Sequence, residues 1–389
     1  MKVKRKGVLA ALLATVAALG VGVSFAGTAS AAGKTVTIGW AYDSKGNMSP
    51  FDDPALAAAQ QRVKQVNARG GVQLKIITCD TQNNNPAKAK SCALSLIQQG
   101  AQIIFTTCDV DYATPVVQEA INRGLLTIAP CIGTDQMGPK RFGAKGALAF
   151  SFGNVAQDEG SAMAQLAYAK GWRTAGTATN TLLVYFKQVV QAFEARFKQL
   201  GGKIVDQESY ATGANNVQSA VSRLNAKDAD VYVTVTSFGE LPAFVTGMRT
   251  LGNNTPILNS WAGDGTYWVP KDGVTNYYAV TYASAFGDDP VPAVNKLAKA
   301  VHAGTGGFVT GAAAIDGVVT AMARAGGSTN GAALAAQMVK FKKVPTISGL
   351  VTFSPALHSV SGRKYRVVKI TGTTEKVVGS VTAKVVPKI

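Results

Sequence analysis

Residues 74–130 read LKIITCDTQNNNPAKAKSCALSLIQQGAQIIFTTCDVDYATPVVQEAINRGLLTIAP. Three short apolar runs, LKIIT, QIIF and LLTIAP, alternate with two amphipathic stretches, from Pro86 to about Gln99 and from Pro115 to Asn122. Strand, helix, strand repeated this way specifies a parallel sheet, because parallel partners need a crossover and a helix is the usual one. Upstream, VTIGWAY (36–42) and a helix from about Ala55 to Ala68 extend the pattern. Crossovers of this kind are right-handed and put the ligand crevice outside the carboxyl ends of the strands. The loops starting at Tyr42, Cys79, Cys108 and Cys131 therefore share one edge.

After ALAFSFG (147–153), read as a connecting strand, a second series begins. Helices are expected at 157–170, 184–200, 217–226 and 241–251, and strands at TAGTATN, KIVDQESY, DVYVTVTS, PILNSWAG and YYAVTYAS. Three more helices follow, 292–303, 312–325 and 332–340, and then strands TISGLVTFS and KYRVVKITG. Helices after the second series, with strands after them, suggest that the chain returns to a first lobe and then to a second.

The chain has 389 residues, is 47% hydrophobic and 16% charged, and carries a formal charge of +17. That length suggests two domains, and the apolar fraction excludes a disordered polymer. With 2 His in the chain, His302 and His358, a His-rich metal site is impossible and a Ser-His-Asp triad improbable. No GxSxG, HExxH or EF-hand pattern occurs. GKT at Gly33 and GTGGFVTG at Gly304 lack the spacing of phosphate- or dinucleotide-binding loops. Asp52 with Asp53 and Asp288 with Asp289 read as solvated turns. We read no enzyme, no metal and no cofactor.

Lys2, Lys4, Arg5 and Lys6 precede an uncharged run, Val8 to Val23, and Ala29, Ser30, Ala31 supplies a small-x-small cleavage pattern. Residues 1–31 are thus read as a signal peptide cleaved after Ala31 or Ala32, with no Cys nearby for a lipid anchor. An exported chain meets anionic envelope components, so its basic balance does not argue for nucleic acid. The most one-sided segment, Arg363 to Lys388, reads as a solvated, strand-rich face. Export also permits disulfides among Cys79, Cys92, Cys108 and Cys131. Three pairings are open; we favour Cys79 with Cys92 and Cys108 with Cys131, because successive parallel strands set the last pair side by side.

Polar and aromatic residues collect at the predicted strand ends. Trp40, Tyr42, Asp109, Tyr112 and Thr134 come from the first half, and Tyr185, Phe238, Trp261 and Asp264 from the second. Aromatic walls with a few fixed polar groups suit a small-molecule cleft. In this reading Trp40, Tyr42, Tyr112, Tyr185, Phe238 and Trp261 wall the ligand, and Asp109, Thr134 and Asp264 fix its polar groups. Two acids give a modest preference for an amine-bearing ligand.

VTIGW, the helix ending in VNARGGV, LKIITCDTQNNNPAKA, LLTIAP and the late SGLVTFSP together resemble the leucine/isoleucine/valine-binding family of extracellular solute-binding proteins. The resemblance covers essentially the whole mature chain. It implies an α/β type I periplasmic-binding fold, two doubly wound parallel-sheet lobes joined by three crossover strands. On that pattern residues 35–152 plus 284–349 form lobe 1, and 153–283 plus 350–389 lobe 2. It further implies a monomer that closes around a small polar molecule, an amino acid, amide or aromatic derivative, and hands it to an ABC permease. Tyr185 is similar to the family's second-lobe Tyr that covers the ligand, Thr134 to a first-lobe hydroxyl, and Asp264 to its amine-binding acid. CDVDYATP replaces the family's Ser-rich loop, so an ionised Asp109 there would repel a carboxylate. The other reading of the same cleft is a sensor reporting to a membrane signalling partner.

Overall fold

A computed structural model describes residues 35–389; the expected leader lies outside the described residues. The first series comprises β1 (Thr35–Tyr42), α1 (Ser49–Asn67), β2 (Gln73–Asp80), α2 (Pro86–Gln98), β3 (Ile103–Phe105), α3 (Val110–Asn122), β4 (Leu126–Ala129), a short α4 (Pro139–Phe142) and β5 (Ala149–Ser151). Its five strands pair in parallel in the order β2-β1-β3-β4-β5. The second series comprises α5 (Ala156–Ala169), β6 (Thr174–Asn180), α6 (Val184–Gln199), β7 (Lys203–Tyr210), α7 (Ala214–Asn225), β8 (Val231–Val235), α8 (Glu240–Thr250), β9 (Ile257–Asn259) and β10 (Val274–Thr281). The chain goes back through α9 (Pro292–Val301), α10 (Phe308–Arg324) and α11 (Gly331–Met338), which pack on α1, on one another and on β4. A hairpin, β11 (Val344–Thr346) and β12 (Gly349–Val351), precedes β13 (Lys364–Gly372) and β14 (Thr374–Thr382).

The chain thus passes between the two sheets three times: after β5, after β10 and between β12 and β13. The second sheet runs β14-β13-β10-β9-β8-β6-β7, with β13 antiparallel to β10 and β14 antiparallel to β13. It is therefore mixed rather than wholly parallel. A tight turn at Gly372 permits the antiparallel return, whereas the parallel strands β6, β7 and β8 of this sheet are each followed by a helix. TISGLVTFS is likewise not one strand: Gly349, at φ 109, folds it back into the β11–β12 hairpin.

Two helices begin earlier than their prolines suggest. The loop GNMSPFDD is largely the first turn of α1, and Pro54 sits inside that helix. Pro54 cannot donate to the carbonyl of Pro50, and the Thr305 hydroxyl takes that oxygen at 3.0 Å. α3 starts at Val110 because Asp109 caps it, its carboxylate accepting from the amides of Asp111 (2.8 Å) and Tyr112 (3.2 Å). Cys79 bonds Cys92, and Cys108 bonds Cys131. The basic C-terminal segment is no uniformly solvated face. Tyr365, Val367, Val368 and Ile370 are core residues, and Arg363 and Glu375 are buried with them.

Candidate functional site

Each sheet reverses its strand order beside its first strand, β1 lying between β2 and β3, and β6 between β7 and β8. Ligand crevices of open α/β sheets form at such reversals. One buried carboxylate fixes the first: Asp52 accepts from the amide of Asp43 and from that of Cys108, both at 2.9 Å, so the loops after β1 and β3 are pinned together. Burial pushes Asp52 up to about 7. It is no solvated turn, and neither is Asp289, which is buried and held by Arg366. In the second sheet Asn180 donates to the Thr236 hydroxyl at 2.9 Å across the reversal.

These two edges face one another along a seam. Met48, Phe51, Cys108 and Asp109 approach it from the first sheet. Leu183, Tyr185 and Phe186, then Ser237 and Phe238, then Trp261 and Ala262, approach from the second. They enclose about 20 Å³, room for a single water. Phe51 meets Trp261 edge to face, centroids 5.0 Å apart. The Val184 amide donates to Asp111 at 2.9 Å, and Asp111 also pairs with Arg141 at 2.9 Å. Gly133 lies so close to Tyr185 that a Cβ there would fall 2.6 Å from the ring. Phe238 holds φ 53, a left-handed conformation costly for a bulky residue and characteristic of ligand-handling positions.

Of the residues expected from sequence, the structure brings Asp109, Tyr185, Phe238 and Trp261 together at this cavity. Trp40 does not reach it: fully buried, it packs on Phe105 inside the first lobe, because its position on β1 points into the core. Tyr42 and Tyr112 do not line it either; both are half-buried and packed against the core. Thr134 is buried, its carbonyl accepting from Ser359 at 2.7 Å. Asp264 lies beneath the Trp261 turn, accepting from the Gly306 amide at 2.6 Å and from the Thr281 hydroxyl. Burial raises Asp264, and pushes Asp109 up to about 7 with Asp111 adding to the effect. Asp109 lines the cavity with Oδ1 taken by its cap, whereas Asp264 turns Oδ2 to Gly306 and Thr281 and does not line it. The Trp261 indole nitrogen is buried and without a partner, as is Asp264 Oδ1.

Glu159 was not legible as a site residue. From the first turn of α5 it accepts from the Tyr185 hydroxyl (2.7 Å), Asn154 (2.8 Å) and the Trp261 amide (2.8 Å), so it positions two walls of the cavity. Asn154, in the first crossing, also donates to Tyr365 at 2.7 Å and accepts from Tyr282 at 2.5 Å. Trp261, Tyr282 and Tyr365 lie 102 to 211 residues from the groups they bond, so no local pattern signals those contacts. Burial pushes Glu159 up to about 7 despite these donors.

Comparison with known proteins gives a consistent result. The sequence profile of the family described as "Periplasmic binding protein" matches residues 35–375. The chain is similar to Leu/Ile/Val-binding protein homolog 3 of Brucella melitensis, 24% identical over 345 residues, 85% of this chain and 91% of the relative. Among solved structures it is similar to LivJ of Streptococcus pneumoniae in complex with isoleucine, with TM-score 0.78 and 19% identity, covering 91% of this chain and 100% of that one. It is also similar to a solute-binding protein of R. palustris in complex with benzoate, with TM-score 0.74 and 19% identity, covering 91% and 98%.

Proposed function

The chain belongs to the periplasmic binding protein family, and on that premise we propose that it is the exported receptor of an ABC importer, capturing a small acid with a branched apolar or aromatic body. The observation that carries this reading is the aromatic seam, built where both sheets reverse their strand order. A 20 Å³ cavity admits a ligand only when the walls part, so capture is a hinge opening followed by closure, the ligand drawing the population toward the closed form. Phe51, Phe186, Phe238 and Trp261 supply apolar area, and the Trp261 indole donates to the ligand's acceptor. The relatives' isoleucine and benzoate share this chemistry, an apolar body with a carboxylate. The protein works as a monomer, binds without turnover and passes its ligand to a membrane permease.

The test is a thermal-shift screen of the mature protein against branched-chain amino acids, benzoate, hydroxybenzoates and polyamines. A ligand of the folded state raises the melting temperature with concentration, by about 2.7 kcal/mol of stabilisation at one hundred times Kd. Branched or aromatic acids should do so and be recovered unchanged. A response confined to polyamines sinks the acid reading, and conversion of the ligand sinks the receptor reading.

A further inference from the structure

A second concavity, about 370 Å³, lies over the crossings and shares no residue with the seam cavity. Its volume falls in the range of small-molecule sites, roughly 300–1,000 Å³. Val294, Ile347 and Val360 contribute apolar lining, and Val291 and Leu350 stand at its edge 40% and 58% exposed. Three cations border it, Arg363, Lys364 and Arg366. Arg366 is spent on Asp289, donating to both carboxylate oxygens at 2.9 and 3.0 Å.

Arg363 is different. It is 6% exposed, yet no ion pair among the described residues includes it or Lys364. Its guanidinium donates only to neutral carbonyls, those of Ser348 (2.9 Å), Phe152 (2.9 Å) and Gly153 (2.8 Å), and its Nε has no partner. The ring of Tyr282 lies 4.7 Å from it. Asp158, a nearby carboxylate, is engaged by the backbone of Gly362 and Arg363 and makes no ion pair with the guanidinium. A buried cation held by carbonyls alone is costly to keep, and beside Lys364 it gives the groove a positive potential over an apolar lining. The complement to that surface is an anionic head on an apolar tail.

We propose that this groove binds a small amphipathic monoanion, its head at Arg363 and Lys364 and its tail against Ile347, Val294 and Leu350. Seating it would bury the exposed Leu350 and Val291 and give the Arg363 guanidinium the direct ionic partner it does not have. The walls come from α9 and the β11–β12 hairpin on one side and from β13 on the other. Occupancy is therefore linked to the angle between the two sheets, and by reciprocity to affinity at the seam; this link, unlike the site itself, rests on the hinge-closure reading.

Anilinonaphthalenesulfonate, an amphipathic anion that brightens in apolar surroundings, is the probe, displaced by octanoate at low ionic strength. Octanoate should displace it and octylamine should not. Lys364→Glu should weaken octanoate about tenfold, Leu350→Ser about fivefold through lost apolar area, and Phe238→Ala at the seam, acting only through the linkage, should shift it less than either groove variant. Equal displacement by octylamine, absence of probe binding, or a signal lost in Phe238→Ala and kept in both groove variants overturns the proposal. A blank result in the thermal-shift screen of seam ligands does not touch this assay, because the probe reports on the groove directly.

Discussion

At the seam, Phe51 and Trp261 meet edge to face and Tyr185 lies against Gly133. In the crossings just beyond, Tyr282 and Tyr365 are joined through Asn154, which also binds Glu159. Both regions bury aromatic rings, but one joins them by area and the other by direction. Apolar contact tolerates sliding, and when it parts the Val184 amide and Asp111 lose each other at the rim, where water can replace them. A buried carboxylate with three donors tolerates no such change, since each partner withdrawn is left unsatisfied. The difference assigns motion to the seam and constancy to the network around Asn154.

The strongest way to break this comparison is Glu159→Leu, which strands the Tyr185 hydroxyl, the Trp261 amide and Asn154 without their acceptor. Urea unfolding should show a loss of about 3 kcal/mol or more; a loss under about 1 kcal/mol would mean that the network does not hold the crossings. Gly133→Ala sharpens the contrast from the seam side. By driving a methyl into Tyr185 and towards Asn154 Oδ1, it should lower ligand affinity about tenfold and the stability of the unliganded protein by about 1–3 kcal/mol, less than Glu159→Leu, as calorimetry and thermal unfolding would show. Phe238→Gly should change stability by less than about 1 kcal/mol, relief of the left-handed strain offsetting the lost ring burial, while affinity falls. Loss of stability without loss of affinity would place Phe238 in the core instead.

A separate expected effect is in pH. Glu159 is raised from its ordinary 4.5 to about 7, so the folded protein holds a proton that the unfolded chain has released. The stability this contributes is complete below about 4.5 and is lost as pH rises toward about 7. Glu159→Gln should flatten the melting-temperature profile across that window; parallel profiles would show that Glu159 titrates near its ordinary value.

The alternation of strands and helices, and both disulfides, were legible because each depends on neighbours in sequence. Pro54 and Pro115 misled about helix starts, since what matters is whether the carbonyl four residues earlier finds another donor, and Thr305 is 255 residues from Pro50. Asp109 read as a group for the ligand, and it does line the cavity, but its position just before α3 also makes it a cap. Asp-x-x before a helical run is itself a capping signal, so that role was available to sequence and was outweighed by the expectation of a cleft. Trp40 read as a wall because strand ends face the crevice, although alternation along β1 turns its ring inward. Glu159 had no signal at all.

The threefold passage between sheets also bears on how the chain emerges during synthesis and export. β10, the last strand of the second parallel series, waits for β13, some ninety positions downstream, to cover its flank, and α1 waits for α10 across some 250 positions. Neither half can complete its core while only the front of the polypeptide is present, and contacts of such separation form late. The same threading that lets the finished protein hinge keeps the nascent one unfolded until nearly all of it has been made.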